Sequence, residues 1–291
     1  MVEITMHTKK DLVMKGWSDY ELLDSGDNRK LERYGKFVVS RPDTQSIWKP
    51  LHPELWEKAD AHFEWEKGGS RWHEKNKLPE SWQLSWNDAR FAIKLTSFKH
   101  TGIFPEQVCN WEWIHDRVKK MSKPRVLNLF GYTGIASVVA AQAGAEVTHV
   151  DASKQSLTWA NENAKLSGVE TGIRYILDDA LKFSKREVRR GNKYEGIILD
   201  PPAFGRGPKG ETWKIEEQLP DLLDTMKELL APTPGSFFLL NGYAAGYTAQ
   251  SFKQLVGSTF DAVEPEFGEL QIPEKGSDRV ISAGIYARFV R

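Results

Sequence analysis

From about residue 123 the apolar positions fall into short continuous runs separated by longer stretches of mixed polarity. RVLNLF is followed by GIASVVAAQAG, AEVTHVD by SKQSLTWANENAKLSG, IRYILD by ALKFSKREVRRG, and YEGIILD by KIEEQLPDLLDTMKELL. SFFLLN, a helix over 248–257 and two last strands near 266–272 and 281–290 complete the series. Continuous apolar strands alternating with amphipathic helices predict an α/β fold with a parallel sheet covered on both faces. Gly144, Gly168 and Gly191 close several of the helices. Before residue 98 the pattern differs. YELLDSG, KFVVSRP, WQLSW and RFAIKLT are short β-prone runs separated by GDNRK, RPDTQ and WNDA, which predicts hairpins. The stretch 48–86 carries Pro and Gly punctuation with no clear period and predicts irregular loops. The chain therefore divides into a small β-rich part, 1–97, and a larger α/β part, 98–291.

Aromatic usage reinforces that division, since nine of the eleven tryptophans precede residue 115. Core filling in a part with little regular structure explains them better than a base-stacking platform does. Composition adds only bounds: 291 residues, 40% hydrophobic and 27% charged, is globular usage. No apolar run approaches the roughly 18 residues that span a bilayer, and MVEITMHTKKDL lacks the apolar core of a leader. The expectation is a cytoplasmic protein, away from membranes. The single cysteine, Cys109, forms no internal disulfide, and equal numbers of basic and acidic residues leave no overall charge to attract a polyanion. The seven histidines show no ligand spacing, so no metal site is expected.

In an open sheet of this kind a ligand sits beyond the carboxyl ends of the strands. The first such end is FGYTG, residues 130–134, where glycines let backbone approach a ligand and the next helix offers free N–H groups. The pattern is not GxGxxG, which argues against a dinucleotide pyrophosphate. The second strand ends on Asp151, placed to accept hydrogen bonds from a ribose diol or to cap the helix behind it. The third ends on Asp178 and Asp179, and the fourth on Asp200, which opens ILDPPAFGRGP. Neither Pro201 nor Pro202 can donate to a ladder, so the strand must stop there.

VLNLFGYTG, VTHVD, ILDDA and IILDPPAF together resemble the motif series of class I S-adenosylmethionine (SAM) methyltransferases, over about residues 99–291. FKHTGIFPEQ, WANENAKLSG and DPPAFGRG are similar, more narrowly, to bacterial methyltransferases of large-subunit ribosomal RNA. The resemblance implies a Rossmann-like seven-stranded sheet and SAM as cofactor. It implies that Phe130, Gly131, Tyr132 and Gly134 wrap the methionine end, that Asp151 with Ala152 and Ser153 holds the ribose, and that Asp179 with Ala180 meets the adenine. Phe104 and Gln107 match the cofactor-covering stretch, with Glu106 at its usual acidic place, and Asn163 matches a helix position that is often Asn. Asp200 and a carbonyl of the Pro201–Pro202 corner would take the hydrogens of a planar amine, with Phe204 stacked on its face. Carboxylates around a sulfonium suit SAM and repel the pyrophosphate of NAD.

Relatives that methylate carbon-5 of cytosine place a nucleophilic cysteine after the fifth strand, where this chain has LLNGYAAG. A nitrogen or oxygen acceptor fits better. Those relatives also carry an N-terminal RNA-binding domain, whereas residues 1–97 match only a hairpin-containing linker. The remaining RNA signals are local: Arg206 and Lys209 in the glycine-rich loop GRGPKGETW, expected to act as a lid, and the basic helix LKFSKREVRRGNKY, more often a solvated face. The expected activity is methylation of a base nitrogen, with ribosomal or other structured RNA as partner. The alternatives are a protein or small aromatic acceptor, or a SAM- or RNA-binding module without turnover.

Overall fold

The computed structural model describes residues 8–66, 69–243, 246–261 and 263–291. The segment 1–7, part of the stretch read above for a leader, and residues 244 and 245 of LLNGYAAG lie outside the described residues.

The apolar runs build one large sheet. Its order is Leu12–Val13, Glu266–Pro273, Val280–Val290, Phe237–Gly242, Gly196–Leu199, Arg125–Leu129, Glu146–Asp151, Ile173–Leu177. The last five of these are mutually parallel, and Val280–Val290 runs antiparallel to its neighbours. Alternate residues of the central strands face opposite layers. Leu127, Leu129, Ile197, Leu199, Phe238 and Leu240 pack with Phe183, Leu222 and Phe252 of three helices on one side. Val126, Ile198, Phe237 and Leu239 pack with Ile114, Val118 and Ala140 on the other. Full burial of each such side chain contributes about 1.5–3 kcal/mol, which is why the strands tolerate no polar alternation.

Leu12–Val13 pairs parallel with Glu266–Pro273, Leu12 opposite Leu270, so the described sheet has eight strands where the resemblance implies seven. The strand order reverses at Arg125–Leu129, which is the switch point at which such sheets bind ligands. Register brings the ends into line: Leu129 lies opposite both Val150 and Leu199. Residues 130, 151 and 200 therefore emerge side by side.

The N-terminal part is more regular than its composition predicts. Tyr20–Gly26, Arg29–Tyr34, Phe37–Pro42, Ala61–Glu66 and Gly69–Glu74 form a five-stranded sheet, and Trp82–Trp86 with Ala89–Ile93 a separate hairpin. Arg29 and Lys30, the end of GDNRK and read as a turn in sequence, open the strand Arg29–Tyr34, which carries charges inward. Glu32 is fully buried and accepts from Tyr20 Oη at 2.7 Å and Arg41 Nη2 at 2.9 Å. Burial works to raise its carboxyl, but Arg41 and Lys30 overcome this and hold it at about 2. The tryptophans are largely structural, as expected: Trp17 and Trp86 are buried and meet Trp111 edge-on at 5.9 and 5.8 Å. Trp111 belongs to helix Val108–Val118 of the α/β part, so these rings join the two parts.

Candidate active site

The turn at 130–134 is held in a conformation that side chains resist. Phe130 and Tyr132 have φ of 56° and 49°, and Gly134 has 78°. The glycines are needed for packing beneath the turn. A Cβ on Gly131 would lie 2.3 Å from Cε1 of the buried His149, and one on Gly134 would lie 2.7 Å from Cβ of Ala160. Asn163 serves the same end. Its Oδ1 accepts from Ala92 N and its Nδ2 donates to Thr133 O, each at 2.9 Å. With both ends of its amide engaged and no exposure, it positions the turn. Asp151 accepts from Tyr132 N and Ser153 N, both at 2.8 Å, while burial pushes its carboxyl up against those donors. Ser153 caps helix Lys154–Leu166.

These strand ends border a cavity of about 460 Å³. One wall is aromatic: Phe104 lies 5.6 Å from Tyr132, 5.1 Å from Tyr243 and 5.3 Å from His100, ring to ring. Nδ1 of His100 is buried with no partner among the described residues, and burial, aided by Arg41 and Lys99, lowers that imidazole to about 4. Asp178, Asp179 and Ala180 also line the cavity. Asp179 also caps its helix, accepting from Lys182 N at 2.9 Å. A smaller cavity of about 60 Å³ shares Phe104, Phe130, Tyr132 and Asp200 with the first and adds the polar ends of Gln107, Asn128 and Asn241.

Asp200 borders both cavities. Burial raises its carboxyl to about 7, and Glu106 adds to the rise. Glu106 is itself buried and shifted upward by burial, and the Tyr243 hydroxyl donates to it. Next to Asp200 the Pro202 carbonyl already accepts from Trp213 Nε1 at 2.7 Å, whereas the Pro201 carbonyl has no hydrogen bond among the described residues. Phe204 is 56% exposed and does not line the cavity wall. The expected glycine-rich lid is a β-hairpin: Phe204–Arg206 pairs with Thr212–Lys214, and Gly207 N donates to Glu211 O at 2.8 Å. Arg206 borders the cavity, whereas Lys209 stands outside it on the exposed turn. In the basic helix, Lys182, Arg186 and Arg190 pair with Glu211, Asp178 and Glu187, so it is the ordinary charged face expected of most such helices.

Of the predicted positions, Phe104, Phe130, Tyr132, Asp151, Ala152, Ser153, Asp179, Ala180, Asp200, Pro201, Pro202 and Arg206 meet around one cavity. Gly131 and Gln107 border the smaller one, and Gly134, Asn163, Phe204 and Lys209 line neither. Cys109 also lines neither, and burial raises its thiol. His100, Trp213 and Tyr243 were missed, since no spacing links them to the strand-end motifs.

The donor set fits a cationic nucleoside: carboxylates at three strand ends, an aromatic wall, and no glycine-cleared pyrophosphate cradle. Fold and cavity together define an α/β protein with a nucleoside-cofactor site at its switch point. The chain belongs to the S-adenosylmethionine-dependent methyltransferase family, which it matches over residues 60–267, and its cofactor is SAM. Ribosomal RNA large subunit methyltransferase K/L of Shewanella frigidimarina is 36% identical over 157 residues, 53% of this chain. The match takes in only 21% of that relative's length, so the chain spans about a fifth of it. The crystal structure of the SAM-dependent methyltransferase from Agrobacterium tumefaciens is 43% identical, with a TM-score of 0.93 over 98% of this chain and 94% of that one. A methyltransferase complexed with SAH shares the fold at 20% identity, with a TM-score of 0.74 over 95% of this chain and 76% of that one. Among the described residues no helix is long and apolar enough to cross a membrane.

Proposed function

We propose that this enzyme methylates a nitrogen of a nucleobase in RNA, ribosomal RNA being the favoured source. The observation that carries the reading is the pairing of Asp200, recessed between the two cavities, with Phe204, a large ring left exposed just beyond the Pro201–Pro202 corner. A phenyl ring that is not core, four positions beyond a carboxylate able to accept from an amine, suits a flat, hydrogen-bonding acceptor. The K/L relative, named for ribosomal RNA, is similar over 157 residues of the chain.

Asp151 would hold the ribose of SAM, Asp179 and Ala180 its adenine, and the turn at 130–134 with Phe104 and Gln107 its methionine end. Bound there, SAM supplies an electrophilic methyl group on a positively charged sulfur. Asp200, as a carboxylate, accepts one N–H of the acceptor amine, and the Pro201 carbonyl accepts the other. Fixing both hydrogens aims the nitrogen lone pair, the orientation effect that proximity catalysis requires. The proton the nitrogen sheds after transfer passes to Asp200, whose affinity for a proton near neutrality suits a general base. Phe204 holds the base plane, and Arg206 meets the phosphate that accompanies it.

The test is transfer of tritiated methyl groups to separated RNA, protein and metabolite fractions from cells lacking the enzyme. Label in RNA, mapped to a base nitrogen, is the expected result. Label confined to protein or small molecules overturns the RNA acceptor, and no label in any fraction overturns the activity.

A further inference from the structure

In the hairpin of Ala61–Glu66 with Gly69–Glu74, His62 lies directly across from His73 and Glu64 across from Arg71. Side chains alternate along a strand, so His62 and Glu64 share one face with His73, and Phe63, Trp65 and Trp72 share the other. The two imidazole rings stack at 5.0 Å with 12° between their planes. Nε2 of His62 lies 3.4 Å from Oε1 of Glu64, and Nε2 of His73 lies 3.7 Å from Oε2. Each of the three residues thus offers a ligand atom within 4.8 Å of the other two. No spacing in the sequence reveals this, because the two histidines meet only through strand pairing.

Two imidazoles and a carboxylate are a donor set for borderline divalent metals, with water free to take a fourth place. With zinc–nitrogen and zinc–oxygen bonds of about 2.0–2.2 Å, ligands on one tetrahedral ion stand about 3.4 Å apart. The three side chains are all partly exposed and reach that spacing by rotation about their own χ angles. Arg71, opposite Glu64, is the cation a metal must compete with. We propose that His62, Glu64 and His73 bind one divalent transition-metal ion that clasps the two strands. None of the three lines the cofactor cavity, so the site is separate from methyl transfer. Its structural effect falls on the far face, where Phe63 lies 5.0 Å from Trp65 and 5.4 Å from Trp72, ring to ring.

The experiment uses the full-length chain, freed of any histidine tag and treated with chelator. Zinc(II) is titrated by calorimetry and cobalt(II) by visible absorption. One zinc per chain is expected, with a cobalt spectrum that reports imidazole ligation. His73→Gln and Glu64→Gln should each weaken binding about ten-fold or more, with SAM affinity unchanged. Absence of saturable zinc binding overturns the proposal. So does a cobalt spectrum identical to that of the free aqua ion, or undiminished zinc affinity in His62→Ala/His73→Ala. The cobalt spectrum of the unaltered protein decides the matter even where a variant fails to fold.

Discussion

The backbone amide of Tyr132 donates to Oδ2 of Asp151 at 2.8 Å, tying the first strand-end turn to the second strand end. Asp151 therefore holds the turn, and in the proposed reading it holds the ribose of SAM as well. Asp151→Ala should weaken SAM binding by about 1.5–3 kcal/mol, ten-fold or more, as loss of a charge-assisted acceptor does. Calorimetry reads this directly. Asp151→Asn, which retains an acceptor for the amide, should lose less, and equal losses in both variants would mean that only the charge matters.

Gly131→Ala should destabilise the fold before it touches catalysis. Its Cβ meets the imidazole of His149, which is fully buried and bonded through Nδ1 to Ser137 Oγ at 2.9 Å. Overpacking of this kind costs about 1–3 kcal/mol. Thermal melting without SAM should show the loss. An unchanged melting temperature with weaker SAM binding would return the glycine to a ligand role.

The pH dependence of SAM binding follows from Asp200. Free, its carboxyl titrates at about 7, raised by burial and then by Glu106. A bound cation favours the charged carboxylate and lowers that value, so binding below 7 releases a proton. Affinity should rise with pH up to about 7 and level off above it. Calorimetry in two buffers of different ionisation enthalpy should find proton release at pH 6 and little at pH 8.5. Glu106→Gln removes the neighbouring negative charge and should move the rise to lower pH. A flat profile from pH 6 to 8.5 would place Asp200 outside the field of the cofactor.

Asp200→Asn and Phe204→Ala should fail in different ways. The first should slow single-turnover transfer at saturating SAM by about 100-fold, because orientation and proton acceptance are lost, and should bind SAM at pH 8 only as well as the parent does well below pH 7. The second should mainly weaken acceptor binding, by the roughly 1–3 kcal/mol that a stacked ring contributes per base. Full activity in Asp200→Asn would remove the amine clamp.

Arg206 borders the cavity and Lys209 does not, so Arg206→Ala should flatten the salt dependence of acceptor binding more than Lys209→Ala. Filter binding of RNA at two ionic strengths compares them. Identical salt slopes in both variants and the parent would count against a phosphate-bearing acceptor.

The α/β part was legible because short apolar runs alternate with amphipathic helices and three of those runs lead directly into carboxylates. Asp151, Asp179 and Asp200 could be placed from that alone. The five-stranded N-terminal sheet was hidden where Lys30 and Glu32 are buried along with Leu31, so charge and burial no longer separate. Its last hairpin was hidden because His62, Glu64 and Arg71 leave few apolar positions to count. Asn163 stands on the right helix but holds the turn through Ala92 and Thr133, a distinction that sequence spacing does not contain. The Phe204 loop reads as glycine-rich and open, yet pairing with Thr212–Lys214 closes it, since only three residues a side take part.

Leu12 and Leu270 are partners in the sheet although 258 positions separate them. Lys9 and Lys10 extend the same contact with ion pairs to Glu269 and Glu266. As the chain leaves the ribosome, the segment that completes this edge emerges 258 residues before its partner. Until then the strand Glu266–Pro273 has an open side that another copy's Leu12 segment can fill as well as its own. Such long-range closure is slow and exposed to exchange between chains. Refolding at high concentration should therefore yield interlinked dimers that dilution before refolding suppresses.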